Sequence, residues 1–387
     1  MTDIAVDVVN TLRRVVGPGR VGLHEPIISD ADRDIVDQCL QSGYVSSVGQ
    51  WVTQFEDALR DYTGARYAIA MSSGTSALHV ALVAAGVKAG DEAMVPSLSF
   101  VATANAVSHA GAIAHFVDIS PDTLGMDPVA LNLYLEQIAE KSPDGVRNKL
   151  TGRHISAIVP MHCFGHPVHM DELMVISDSW GIPVVEDSAE ALGSSIGQRH
   201  LGTYGLAGVF SFNGNKIVTT GGGGAIVTDS EPVATFARHL STTAKIAHQW
   251  EFEHDIVGYN YRMPNLNAAL GWSQLQSLGR ALDAKRSLAA TYQEAFSGVD
   301  NVTVFSERDG TTSNYWLNAI VLDHQVAHRR DDILSKAHDE GILLRPAWKL
   351  LHDLQPYRDH PRAPLPQSLD IQPRLVNLPS SSFLGVQ

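Results

Sequence analysis

Between residues 67 and 228 the chain alternates short apolar runs with helix-forming stretches, and this alternation constrains the fold more than any other feature. Strands are expected at 67–71, 92–95, 113–117, 155–160, 183–186, 208–212 and 224–228. Helices are expected at 74–85, 101–110 and 170–180. Short apolar strands separated by helices imply a mostly parallel sheet covered on both faces. Right-handed crossovers then bring every strand-to-helix loop to one edge of the sheet, the edge where such folds hold ligands.

The flanking regions read differently. The stretch before about residue 26 reads as peripheral. Residues 29–41 read as a helix capped by Ser29 or Asp30, with Ile35, Val36, Cys39 and Leu40 as its apolar stripe. Residues 42–50 read as a loop, and 51–62 as a second helix with Trp51, Phe55 and Leu59 at helical spacing. Residues 131–153, which contain SPDGVRNKLTGR, read as a polar surface excursion. After about residue 265 the alternation stops. A long helix at 265–287, a strand at 315–321, a helix at 329–340 and a proline-rich segment follow. The chain therefore divides into 1–265, an N-terminal segment with a large α/β domain, and 266–387, a smaller α+β domain.

Composition excludes several functions. The only cysteines are Cys39 and Cys163, too few for a disulfide framework or a structural zinc site, and no metal is expected. A formal net charge of −14 argues against a nucleic-acid partner but leaves room for a local basic pocket. No apolar run reaches the roughly 20 residues that cross a bilayer, so no membrane partner is expected. The first residues, MTDIAVDVVNTLRRVV, carry early acids and no signal-peptide pattern, which makes a cytoplasmic location the expectation.

Four segments carry candidate chemistry, each just beyond an expected strand. Ser211-Phe-Asn-Gly-Asn-Lys216 leads into the glycine run Gly221 to Gly224, presenting one lysine among apolar and small residues. Alone, a lysine reads as a solvated surface charge. A desolvated one has a lowered pKa and attacks aldehydes. The strand ending Val184-Val185-Glu186-Asp187 places an acid at the ligand edge, 29 residues before Lys216. Asp187 serves equally well as a helix cap unless a protonated ring nitrogen faces it, as in pyridoxal 5'-phosphate (PLP). Ser73, Gly74 and Thr75 open a helix directly after a strand, an arrangement that binds phosphate and also simply caps a helix. Phe100 follows another strand end, where its ring either stacks on a cofactor or joins the core. The order phosphate loop, aromatic, aspartate, lysine favours PLP over the four separate structural readings.

With these residues identified, the chain resembles the DegT/DnrJ/EryC1/StrS sugar aminotransferases, which have the aspartate-aminotransferase-like (type I PLP) fold. The motifs are Ser73-Gly-Thr-Ser-Ala-Leu78, Ser99-Phe-Val-Ala-Thr-Ala-Asn105, Glu186-Asp-Ser-Ala189, Ser211-Phe-Asn-Gly-Asn-Lys216 and Gly258-Tyr-Asn-Tyr-Arg-Met263. The resemblance runs from about Leu23 to the C-terminus. It implies that Lys216 carries PLP as a Schiff base and shuttles the proton, and that Asp187 pairs with the pyridine nitrogen. It further implies that Phe100 stacks on the ring, that Gly74, Thr75 and Ser211, beside Ser73, hold the phosphate, and that Asn260 reaches the phosphate of a second subunit. A homodimer with shared active sites follows. Two positions depart from the family pattern: Glu190 stands where many members have glutamine contacting the cofactor hydroxyl, and the run after the lysine is all glycine. Leu23-His-Glu-Pro26, the loop around Ser46, Ser47 and Val48, residues 131–153, and the segment bearing Arg345, Trp348 and His352 are similar to the LegC-like branch. That branch implies a UDP-2-acetamido-2,6-dideoxy-hex-4-ulose aminated at C4 with L-glutamate as donor, with substrate contacts from those two segments. A GDP-4-keto-6-deoxymannose 4-aminotransferase of the perosamine-synthase type is the nearest alternative. A PLP-fold regulator or scaffold without turnover is the alternative from another class.

Overall fold

A computed structural model describes residues 3–386. Parallel pairing builds the centre of the larger lobe. Tyr67–Met71, Gly224–Thr228, Ala207–Ser211 and Val185–Asp187 form one sheet in that order, and Ile113–Val117, Glu92–Pro96 and Ile155–Ile158 form another. Parallel bridges at Ile158–Val184 and Met161–Asp187 connect the two. Gly224–Thr228 runs antiparallel to both neighbours, and the other pairings are parallel. The strand and helix boundaries fall within a few residues of those expected. The periodicity is strong there because both faces are buried: Ile69, Val95 and Ile226 on one face and Ala70, Met94 and Ala225 on the other are fully buried.

The smaller lobe holds a four-stranded sheet ordered Val302–Val304, Asn318–Leu322, Leu375–Leu378 and Arg345–Pro346. It is antiparallel throughout. The first helix of the chain, Ile4–Val16, packs into this lobe, although the N-terminal stretch reads as peripheral from sequence. Val8, Val9 and Leu12 are fully buried against Leu288, Ile333 and Val376. Each such side chain contributes about 1.5–3 kcal/mol of burial.

Two other regions differ from expectation. Residues 131–153 are not an irregular excursion. Pro128–Ile138 is a helix capped by Asp127, and Ala139–Ser142 pairs with Gly145–Asn148 as a hairpin. Leu131, Leu135 and Ile138, at helical spacing, enter a core cluster with Val146. The long helix at 265–287 is two helices, Asn265–Gln276 and Leu278–Phe296. Ser277 breaks them: its N–H and its hydroxyl both donate to the Gln274 carbonyl, closing the turn tightly.

Candidate active site

The Ala207–Ser211 strand ends at the ligand edge, and the chain turns so that the Lys216 N–H donates to the Asn213 carbonyl at 2.9 Å. The Lys216 side chain is 12% exposed. Its Nζ lies 3.6 Å from the centre of the Trp316 ring and 3.4 Å from Glu190 Oε1. Burial lowers the amine's pKa, and the Glu190 and Asp187 carboxylates oppose that shift.

Asp187 ends the neighbouring parallel strand. Its Oδ2 accepts from Thr103 Oγ1 at 2.7 Å, and its Oδ1 accepts from the Ala189 N–H at 3.2 Å. Burial pushes this carboxyl's pKa up despite those bonds. Such a group gains most from a cationic partner, which is what a protonated pyridine ring offers. Thr103 is fixed in turn by Ser99 Oγ at 2.7 Å.

The Gly74–Ala84 helix points its start at the same place. Ser73 caps it, accepting the Ser76 N–H at 3.0 Å, so its hydroxyl is engaged within the helix. The amides of Gly74 and Thr75, in the first turn, have no intrahelical acceptor. Glycine is required at two contacts here. A Cβ on Gly74 would stand 2.8 Å from Ser211 Cβ, and one on Gly224 would stand 2.4 Å from the Ser73 carbonyl carbon. Without side chains at both, the helix start and the strand ends close into one cradle.

Ser73, Gly74, Thr75, Phe100, Asp187, Glu190, Ser211, Lys216 and Trp348 thus line one pocket of about 310 Å³. Amide donors at one end, a buried carboxylate, an amine and a half-exposed Phe100 ring match the groups of PLP. The remaining sequence candidates lie elsewhere. Arg345 borders an adjoining groove of about 480 Å³ that shares Asn215, Trp316 and Trp348 with the pocket. The His352 ring borders neither the pocket nor the groove; it is buried, with Nδ1 2.6 Å from Ser97 Oγ. Ser46, Ser47 and Val48 sit in the loop over the start of the Asn265–Gln276 helix, where the Ser46 carbonyl accepts the Asn265 N–H at 2.7 Å. Asn260 is exposed and bridged to Thr242, outside its own chain's pocket.

Sequence reasoning missed Trp316, Phe164 and the role of Thr103. Thr103 had a signal, since it follows Phe100 by one helical turn. Trp316 and Phe164 come from other parts of the chain and had none. Among the described residues, no group of three or more His, Cys, Asp or Glu is placed to hold a metal, and no helix is long and apolar enough to cross a membrane.

The profile of the DegT/DnrJ/EryC1/StrS aminotransferase family matches residues 26–386. The chain belongs to this family. A GDP-perosamine synthase of Vibrio cholerae is 32% identical over 93% of the chain and 94% of its own length. One of Caulobacter vibrioides is 33% identical over 87% of each. Among solved structures, Helicobacter pylori PseC, an aminotransferase of pseudoaminic acid biosynthesis, superposes with a TM-score of 0.83. It is 26% identical and covers 93% of the chain and 94% of its own. The protein is a PLP-dependent sugar aminotransferase of the type I fold, with a nucleotide sugar as substrate class.

Proposed function

We propose that this aminotransferase moves the amino group of L-glutamate to C4 of a GDP-linked 4-keto-6-deoxy sugar, with GDP-4-keto-6-deoxymannose as the best candidate. The observation that carries the nucleotide is the set of GDP-perosamine synthases among its relatives, each matched over most of its length. They favour the GDP sugar over the UDP-linked acetamido sugar suggested by the motifs of the 43–49 loop and the Arg345 segment.

PLP, when bound, supplies an electron sink for the carbon that loses its proton. The chain's own residues do the rest. Asp187, fixed by Thr103 and the Ala189 amide, keeps a proton on the pyridine nitrogen. The Gly74 and Thr75 amides and the Ser211 hydroxyl hold the phosphate, helped by the positive end of the helix. Phe100 covers one face of the ring, while Trp316 and Trp348 wall the pocket from water. Lys216 anchors the cofactor and, when its amine is free, takes a proton at Nζ from one carbon and returns it to another. Arg345 and Trp348, on the groove beside the pocket, are the proposed contacts for the sugar nucleotide. Asn260 and the loop bearing Ser46, Ser47 and Val48 lie outside their own chain's pocket, which supports a homodimer in which a second copy delivers them.

The test is direct. The purified protein is given L-glutamate with either GDP-4-keto-6-deoxymannose or the UDP-2-acetamido 4-keto sugar, and the amino-sugar products are identified by mass spectrometry. Turnover of the GDP sugar with a clear kcat/KM advantage is expected. Turnover of the UDP sugar alone would overturn the nucleotide assignment.

A further inference from the structure

Glu190 is held at both ends. Its backbone carbonyl accepts from Asn314 Nδ2 at 2.8 Å, and its Oε2 accepts from the Phe164 N–H at 2.9 Å. Phe164 makes that bond from a left-handed backbone conformation, with φ 55° and ψ 16°, while fully buried. A bulky residue adopts this region only where its surroundings impose it. The result is a carboxylate whose free oxygen, Oε1, faces Lys216 Nζ at 3.4 Å inside the pocket. A glutamine would satisfy the Phe164 amide equally well. It would not offer Lys216 a place to leave a proton.

We propose that Glu190 and Lys216 hold a single shared proton whenever the Lys216 amine is free. The proton passes from Nζ to Oε1, converting an ammonium–carboxylate pair into a neutral amine and a carboxylic acid, with no change in net charge. Glu190 thereby leaves Lys216 with the lone pair it needs to act as a base, without bulk water as the proton store. This rests on Lys216 being the reactive lysine of the functional reading above.

Burial favours the neutral pair, because both side chains, 12% and 2% exposed, lose the hydration of their charges. Burial pushes the Glu190 carboxyl up to about 7, and the nearby Asp187 charge adds to that, against Lys216 and the Phe164 amide. Burial pushes the Lys216 amine down. The Cys163 thiol near Glu190 is buried and pushed well above its usual value, and the His24 imidazole near Lys216 is pushed well below its own by burial and by the Lys285 and Lys216 charges, so both stay neutral. The Trp316 ring borders Lys216 from the second lobe and carries no charge.

Two measurements on cofactor-free protein test the proposal without turnover. In the first, Lys216 is acetylated with limiting acetic anhydride across pH 6–10 in wild type and Glu190→Gln, and its labelling is quantified by mass spectrometry. An opposite charge within about 4–6 Å raises an amine's pKa by about 1–3 units. With the proton on Glu190 Oε1, the carboxylic acid and the variant's amide are both uncharged toward the amine, so the two Lys216 profiles should coincide. A wild-type profile displaced to higher pH by that amount marks a standing ammonium–carboxylate pair and would overturn the proposal. In the second, the infrared carboxylic-acid band is compared between the two proteins at pH 8, above the point where burial alone would keep Glu190 protonated. It should weaken in Glu190→Gln, and an unchanged band would equally overturn it. Thermal melting confirms that the variant folds. A protein that never took up PLP would defeat the functional reading and leave both measurements standing.

Discussion

Lys285 supplies the sharpest stability prediction because it is a fully buried lysine with no carboxylate partner among the described residues. Its Nζ donates to the Ser380 carbonyl at 2.5 Å and to the Trp316 carbonyl at 3.1 Å. Trp316 is also the residue whose ring faces Lys216. Burial pushes the Lys285 pKa down to about 7, against 10.5 for the free side chain. The folded pKa is below the unfolded one, so between these values the unfolded chain binds more protons and stability rises with pH. From pH 7 to pH 9 the unfolded lysine stays protonated while the folded one gives up its remaining half-proton. The difference approaches one proton over two pH units, which makes the fold about 2 kcal/mol more stable at pH 9 on account of this amine. Lys285→Met removes the titration along with the two hydrogen bonds. Urea unfolding of both proteins at pH 7 and pH 9 isolates the effect, since other groups titrate alike in each. The variant should lose about 2 kcal/mol relative to wild type between the two pH values. At pH 9 it should be the less stable protein, with two buried carbonyls left without a donor. A wild-type-minus-variant difference that is the same at both pH values would refute the reasoning.

Gly224→Ala drives a Cβ to 2.4 Å from the Ser73 carbonyl carbon and 2.5 Å from the Gly74 nitrogen. An overpacked contact costs about 1–3 kcal/mol, and here it falls on the helix start that would hold phosphate. The variant should melt at lower temperature and bind PLP at least about tenfold more weakly in a fluorescence titration, and unchanged binding would sink that reading of the cradle. For the shared site, Lys216→Ala and Asn260→Ala should each be inactive alone. Co-expressed in equal amounts, they should recover about a quarter of wild-type activity, because half the two-fold dimers then contain one intact site. No recovery in verified heterodimers would place Asn260 in its own chain's site.

Legibility in the sequence followed burial. The large sheet was readable because Ile69 and Val95 pack under one layer of helices and Ala70 and Met94 under the other, so their strands are apolar on both faces. The first helix was missed for a related reason. Its apolar residues Val8, Val9 and Leu12 form a good stripe, but they pack on a sheet that begins some 290 residues later. Nothing nearby in sequence shows what covers them. Residues 131–153 misled because polar turn residues dominate the window, while Leu131, Leu135 and Ile138 supply a buried face at helical spacing.

The site divides along the same line. Ser73, Gly74, Thr75, Asp187, Ser211 and Lys216 all stand at strand ends or the turns after them, and the topology of a parallel sheet gathers such positions on one edge. A reading that knows only the strand order can therefore bring them together. Trp316, Trp348 and Phe164 arrive by tertiary packing: two come from the smaller lobe, and one from a loop in a rare backbone conformation. His352 marks the limit in the other direction. A histidine beside an arginine and a tryptophan looks like a ligand contact in one dimension, yet its ring is spent on Ser97 in the core. What the sequence left unstated is the electrostatic character of the pocket. Glu190 looked like a minor departure from a glutamine. Once Phe164 and Asn314 are seen to clamp it against Lys216, it becomes the group that decides where the lysine's proton rests.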